Sequence, residues 1–155
     1  MLRIMEQHFY KNFYKKFLQA PLADKKIVIY SLYWSLITRF CLLFLPFKFY
    51  RHFLGEMHVV AENDNYDNVA IEKALHIKQL VLIVTSHTPW ASKCLVQAIV
   101  CKRLLQKEGI KTTLYLGAAT TAEKKLDAHA WLKCGNIVLT GRLGHKRFKV
   151  VNYYA

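Results

Sequence analysis

Residues 88–117 read TPWASKCLVQAIVCKRLLQKEGIKTTLYLG, and the spacing of their apolar side chains changes at Gly109. Before Gly109 the apolar residues recur every three or four positions, which predicts a helix that Ser92 caps and that runs to about Lys107. From Ile110 onward apolar and polar residues alternate, which predicts a β-strand. This stretch therefore predicts a helix followed directly by the first strand of a sheet.

The alternation continues through most of the remaining chain. Residues 127–132, DAHAWL, alternate in the same way and predict a second strand. The Gly135-Asn136 dipeptide is a hairpin signal that precedes a third strand, and a fourth strand is predicted over residues 147–153. Helices followed by consecutive strands indicate an α+β fold, in which an antiparallel sheet packs against the helix that begins at Ser92.

The first half of the chain is predicted to be helical, because its apolar residues fall at helical spacing between proline, glycine and one acidic stretch. We expect a single compact domain overall, with an N-terminal helical region over residues 1–60 and a core over residues 61–155. The predicted helices cover residues 9–17, 23–45, 47–54 and 68–83, and a predicted loop covers residues 61–67.

The composition excludes several classes of protein. With 54% hydrophobic and 21% charged residues among 155, the chain is not expected to be disordered or of low complexity. Its four cysteines include no CxxC pair, so we predict reduced thiols, no metal site and no cofactor. The net charge of +13 favours an acidic partner. The N-terminal residues lack the pattern of a secretory signal, which predicts a cytoplasmic protein.

Residues 27–45 are the strongest candidate for a membrane segment, since Arg39 is the only charged residue in this stretch. A charge near the middle of a membrane span is costly, and Ser31, Ser35 and Thr38 lie on neighbouring turns. We therefore expect a buried amphipathic helix, and a peripheral membrane surface is the alternative interpretation.

Two residues have the chemistry of a nucleophile and its base. Cys94 lies in the first turn of the predicted helix, where unpaired backbone N–H groups, the helix dipole and Lys93 favour a thiolate. His129 lies in the second predicted strand and is the candidate base. The alternative interpretation makes Cys94 a small core residue and His129 a satisfied or solvated side chain. Cys101 is predicted to lie in the core and Cys134 at the hairpin turn.

The order of two motifs carries a resemblance to a known family. Residues 88–98 (TPWASKCLVQA), followed by residues 128–132 (AHAWL), resemble the transglutaminase-like cysteine proteases of lasso-peptide biosynthesis. The likeness covers roughly residues 89–141, and residues 17–53 are similar more loosely. It implies a transglutaminase-like (papain-like) cysteine protease core, in which N-terminal helices precede a nucleophile-bearing helix packed on an antiparallel sheet.

The resemblance also implies a function and a set of partners. The protein would cleave the leader from a ribosomally synthesised lasso-peptide precursor before a separate cyclase closes the macrolactam ring. Cys94 would be the catalytic nucleophile, His129 would take its proton, and backbone N–H groups at the helix start would stabilise the oxyanion. Because the N-terminal helices occupy the residues before the core, the leader-recognition protein is expected to be a separate polypeptide.

The third catalytic position departs from the family pattern. The family usually places an Asp on the strand after the His-bearing strand, but no Asp follows Asp127 in this chain. Folding back the predicted hairpin brings residues 140–142 opposite His129, and among these only Thr140 has a side chain able to accept its hydrogen bond. Asn136 lies roughly 20 Å along the strand, and Asp127, roughly 7 Å away on the same face, is a second candidate. The third position therefore stays open.

Two other functions stay open at the level of sequence. A non-enzymatic basic module would bind a peptide, a membrane surface or nucleic acid, but the basic residues are dispersed and no nucleic-acid motif occurs. We therefore expect no nucleic-acid partner, and membrane binding is disfavoured. An acyl transferase on the same fold would use the same nucleophile and would transfer the acyl group to an amine.

Overall fold

The computed structural model of the protein describes residues 17–51, 54–61, 66–121 and 124–155. Most of the helix predicted over residues 9–17 lies outside this part of the chain, as do residues 62–65 of the predicted loop. The helices are α1 (Leu22–Phe44), α2 (Phe47–Tyr50), α3 (Asn68–Ser86) and α4 (Cys94–Lys107). The strands are β1 (Thr113–Thr120), β2 (Leu126–Cys134), β3 (Ile137–Thr140) and β4 (Lys149–Tyr154), with a short 3-10 turn (His145–Arg147) before β4.

The strands form one four-stranded antiparallel sheet in the order β3-β2-β1-β4. The central pair is held in a continuous register, in which Leu114 of β1 lies opposite Leu132 and Gly117 lies opposite His129. A two-residue turn at Gly135-Asn136 joins β2 to β3, as the dipeptide predicts. The predicted α+β fold with an antiparallel sheet is confirmed.

One face of the sheet packs against α4, and α3 packs beside that helix and also contacts β3. Ala130 and Leu132 of β2 are at most 2% exposed and share the main core with Val96 and Cys101 of α4. This alternation on β2 follows from the period of two along a strand, which sends neighbouring side chains to opposite faces. The core members on α3 and beside the sheet are Ala74, Ile77, Val81, Leu54 and Tyr154.

The helix boundaries agree with the sequence at most positions. α1 ends before Pro46 as predicted, since a residue that precedes proline disfavours the helical conformation. α3 begins at Asn68 as predicted, because the Asp67 side chain accepts a hydrogen bond from the N–H of Ala70 at 2.8 Å. α2 is shorter than predicted and ends at Tyr50.

The buried side of α1 is formed largely by small and polar residues. Its buried residues include Ser31, Ser35 and Thr38, and most of its large apolar side chains are exposed. Ser31 donates to the carbonyl oxygen of Ile27 at 2.7 Å, so this hydroxyl is satisfied within the helix. The prediction of a buried core helix is therefore wrong for most of the surface of α1.

Candidate active site

Cys94 is the first residue of α4, and Lys93 occupies the N-cap position without a side-chain hydrogen bond. The first backbone hydrogen bond of the helix runs from the N–H of Gln97 to the carbonyl oxygen of Lys93 at 3.1 Å. The N–H groups of the preceding helical residues therefore lack a partner within α4, and they are available to an oxyanion. Cys94 is half-buried and packs against the main core.

The loop before α4 sets the position of Cys94. The predicted role of Ser92 as the helix cap is wrong, because its hydroxyl shares a hydrogen bond with that of Thr88 at 2.8 Å. The Thr88 hydroxyl also lies 3.1 Å from the carbonyl oxygens of Thr85 and Trp90. Thr88 thus links the end of α3 to the loop and fixes where α4 begins.

His129 is half-buried on β2, and one of its ring nitrogens is held by the backbone. Nε2 of His129 lies 2.8 Å from the carbonyl oxygen of Gly141. Because a carbonyl oxygen only accepts, Nε2 carries the hydrogen and, in the neutral ring, Nδ1 carries the lone pair. The rings of Trp131 and Phe148 stack on His129 with centroids 6.2 and 5.0 Å away, which fixes the plane of the imidazole. His129 thus has the tautomer that a base acting through Nδ1 requires.

Gly141 can reach His129 because it lacks a side chain. Its φ is +70°, in the left-handed region, and an added Cβ would lie 2.3 Å from the carbonyl oxygen of Ala130. The same Cβ would lie 2.9 Å from the Cα of Trp131. Only glycine lets the backbone after β3 cross β2 this closely.

Asp127 and Thr140, the two candidates for the third catalytic position, do not contact His129 through a hydrogen bond. The carboxylate of Asp127 forms an ion pair with Arg147. The Thr140 hydroxyl is buried and has no hydrogen-bond partner in the described part of the chain. Neither side chain is bonded to His129, so both candidates are wrong for this structure. The backbone carbonyl of Gly141 occupies the acceptor position instead of a side chain.

Cys94 and the side chain of His129 lie on different sides of β2. His129 shares its strand face with Trp131, whereas Ala130 lies on the face that packs against α4. Cys94 packs against that core. No hydrogen bond joins Cys94 to His129 within the residues that the structure describes. The structure therefore does not bring Cys94 and His129 together as a hydrogen-bonded pair.

The other cysteines of the core differ from Cys94 in their surroundings. Burial raises the pKa of the Cys101 thiol to about 12, and burial also raises the pKa of Cys134. Desolvation disfavours a thiolate, so both thiols stay protonated and inert. The prediction that Cys101 is a core residue is confirmed. Across the described ranges no group of three or more His, Cys, Asp or Glu side chains could hold a metal ion.

A groove of about 620 Å³ lies on the outer face of the sheet, beside the stack that holds His129. Tyr115 and Trp131 form an aromatic floor, with their rings stacked at a centroid distance of 5.7 Å. Cationic side chains surround this floor, and none of the lining residues is acidic. The groove therefore suits an extended segment that carries acidic side chains. Its cationic lining residues are Lys133, Arg142 and Lys146.

One comparison with known proteins gives a match. The family model described as the transglutaminase-like superfamily matches residues 41–152, well over half of the chain. No curated protein and no solved structure matches the sequence.

Proposed function

Because the chain belongs to the transglutaminase-like superfamily, we propose that it is a cysteine peptidase with Cys94 as nucleophile and His129 as general base. The superfamily fold is compatible with both cysteine peptidases and acyltransferases. The observation that supports the proposal most is the hydrogen bond from Nε2 of His129 to the Gly141 carbonyl oxygen. This hydrogen bond keeps the proton on Nε2, so Nδ1 is free to accept a proton.

The proposed reaction begins when Nδ1 of His129 takes the proton from Sγ of Cys94. The thiolate attacks the carbonyl carbon of the scissile bond, and free N–H groups at the start of α4 stabilise the oxyanion. Protonated Nδ1 then gives its proton to the leaving amine, which leaves a thioester on Cys94. Water, deprotonated by His129, hydrolyses the thioester and restores the free thiol.

This reaction requires Nδ1 of His129 to meet Sγ of Cys94 when a substrate is bound. Catalytic hydrogen bonds of this kind tighten in many enzymes only in the complex with substrate. A segment seated in the groove would lie beside Trp131, whose ring stacks on the imidazole of His129, whereas no residue at the start of α4 lines the groove. A rearrangement that brings Nδ1 of His129 and Sγ of Cys94 to the same side of β2 is therefore part of the proposed function.

The acceptor on Nε2 is neutral in this protein. A carboxylate would stabilise the imidazolium by charge, whereas the Gly141 carbonyl stabilises it only by a hydrogen bond. The carbonyl still selects the productive tautomer, which is the orienting part of the role. We expect turnover to be slower than with a carboxylate at the same place.

The proposed substrate is the leader region of a lasso-peptide precursor. The motif around Cys94 and the AHAWL segment of β2 support this choice, and the cationic groove suits acidic leader side chains. A separate leader-recognition protein would deliver the precursor, and a lasso cyclase would use the released core peptide. The proposed site of this reaction is the cytoplasm.

Intact-mass analysis of a candidate precursor peptide tests the proposal. The wild type, together with a candidate recognition protein, is expected to release one leader fragment, and Cys94→Ala and His129→Ala are expected to release none. Cys41→Ala is the matched control, because Cys41 is a buried thiol on α1 and its loss should leave cleavage unchanged. Product that has gained an amine instead of water would indicate acyl transfer. An intact precursor with the wild type would contradict the proposal.

A further inference from the structure

The inward side of α1 is rich in small and polar residues, while most of its large apolar side chains face outward. The stripe that packs against α3 and α4 contains Ser31, Ser35, Thr38 and Cys41 besides Val28. Three further apolar residues of α1 are partly buried against the core: Ile27, Trp34 and Leu42. A helix that faces a soluble core buries its large apolar residues and exposes its polar ones. An outward side of large apolar residues indicates that this side of α1 meets an apolar medium.

The outer face of α1 is broad and apolar along the whole helix. At 100° per residue its members lie across the helix from the buried serines. Leu36, Phe40 and Phe44 are 52%, 56% and 68% exposed, so the face is open to solvent. Contiguous apolar surface of this extent marks an interaction site. The large side chains of the outer face are Leu22, Ile29, Leu32, Tyr33, Leu36, Phe40, Leu43 and Phe44.

Positive charge surrounds the outer face of α1. Lys26 is exposed near its beginning, and Lys48 and Arg51 are exposed just beyond its end. On the α4 side, Nζ of Lys107 lies 3.9 Å from the ring centroid of Tyr30. The hydrogen bond with Lys107, and then the charge of Lys107, lower the pKa of the Tyr30 hydroxyl.

Negative charge is directed away from this face. Asp24 is the only acidic residue of α1, and its carboxylate lies 2.9 Å from Nε2 of His76 on α3. It therefore points to the inner side of the helix. The outer face thus combines an apolar centre with a cationic border and no carboxylate of its own helix.

We propose that α1 docks the protein on an anionic lipid bilayer, with the helix axis parallel to the membrane surface. The apolar side chains enter the boundary between headgroups and acyl chains, while the border lysines and arginine contact lipid phosphates. Tyr30 and Tyr33 suit the interface, because their rings are apolar and their hydroxyls are polar. α1 lies flat rather than spanning, since its inner side stays packed against α3 and α4.

Charge favours lipid over a second copy of the chain as the occupant of this face. Each chain carries a net charge of +13, and two copies meeting through α1 would place their cationic borders together. An anionic bilayer supplies the opposite charge and an apolar layer at once. By length and composition, α1 is also the one helix of the described residues that could enter a membrane.

Flotation with lipid vesicles tests the proposal on the full chain. The wild type is expected to float with vesicles of phosphatidylcholine containing about 30% phosphatidylglycerol, and to float poorly with phosphatidylcholine alone or at high salt. The double variant Leu36→Ser/Phe40→Ser should partition at least about tenfold more weakly. The control is Leu126→Ser/Leu143→Ser, since these leucines are 80% and 91% exposed elsewhere. Circular dichroism checks that all variants fold.

A second pair of variants tests the cationic border. Lys48→Gln and Arg51→Gln should each weaken binding to anionic vesicles by about fivefold, and they should leave binding to neutral vesicles unchanged. Lys125→Gln is the control, because Lys125 is an exposed cation outside this region. Equal weakening by Lys125→Gln would mean that total charge alone governs binding and would overturn the docking geometry.

Three outcomes would overturn the proposal. Vesicle binding that survives Leu36→Ser/Phe40→Ser would place the lipid contact elsewhere on the chain. A wild type that ignores vesicles and forms a dimer, with the double variant monomeric, would make a second copy the occupant. Retention in the membrane after alkaline carbonate extraction would indicate a spanning helix. Cleavage by Cys94 is measured separately, so the proposed function and membrane docking fail independently.

Discussion

Replacing Gly141 by alanine perturbs the contact that orients His129. The new Cβ would lie 2.3 Å from the carbonyl oxygen of Ala130 and 2.9 Å from the Cα of Trp131. Both are backbone atoms of the central strand β2, so neither can move without bending the sheet. The loop after β3 must shift instead, and the Gly141 carbonyl shifts with it.

The expected loss of stability has two parts. A φ of +70° is unfavourable for alanine by about 1–2 kcal/mol. Forcing a methyl group into an occupied space adds about 1–3 kcal/mol. Gly135→Ala is the matched control, because Gly135 has a φ of +53° and an added Cβ would meet nothing within 4 Å. Gly141→Ala should therefore be less stable than Gly135→Ala by about 1–3 kcal/mol.

Urea unfolding and the nitrogen spectrum of His129 measure the two consequences. For a chain of this size the melting temperatures of the two variants should differ by about 2–4 °C for each kcal/mol. Long-range proton–nitrogen spectra should show the Nε2–H tautomer of His129 in Gly135→Ala and a mixture of tautomers in Gly141→Ala. Peptide cleavage should fall only in Gly141→Ala. Equal stability of the two variants, or an unchanged tautomer in Gly141→Ala, would refute this reasoning.

Three further substitutions have defined outcomes. Lys102 is buried, donates to the carbonyl oxygens of Thr112 and Tyr154, and has its pKa lowered by burial from 10.5 to about 8. As pH rises above 8, the Lys102 ammonium loses its proton in the native state before it does so in the unfolded state. Urea unfolding should therefore show the stability of the wild type rising by up to about 3 kcal/mol relative to Lys102→Met by pH 10. A stability difference that stays constant with pH would contradict the burial of a charged amine. Thr140→Val should keep or raise the melting temperature, by up to about 1 kcal/mol of stability, because it removes a buried hydroxyl without a partner; a clear loss would reveal one. Asp127→Asn should cost less than about 1 kcal/mol and leave peptide cleavage near wild type, since its ion pair with Arg147 is largely exposed; loss of cleavage would restore Asp127 as the orienting residue.

Most of the secondary structure follows from local patterns. The change of apolar spacing at Gly109 predicts the passage from α4 to β1, and the Gly135-Asn136 turn predicts the pairing of β2 with β3. These signals depend on residues a few positions apart, so no tertiary contact is needed to interpret them. The position of Cys94 at the start of a helix follows in the same way.

The acceptor for His129 could be located from the sequence but not identified. The hairpin turn predicts that residues 140–142 lie opposite His129, with the Thr140 side chain as acceptor, but Thr140 lies opposite Leu132. The structure uses the backbone carbonyl of Gly141 instead. Every residue carries a carbonyl, so its use leaves no sequence signal except a glycine at the position where another backbone passes closely.

The sequence by itself determined the order of helices and strands, the antiparallel sheet and the start of the helix that bears Cys94. Only the tertiary structure decided which side of α1 is buried, because Ser31 and Ser35 fit the narrow space beside α3 and α4, whereas Phe40 is left outside. Periodicity shows that a helix has two different sides. Which side faces inward depends on the shape and polarity of the helices that pack against it, and those helices lie far away in the sequence.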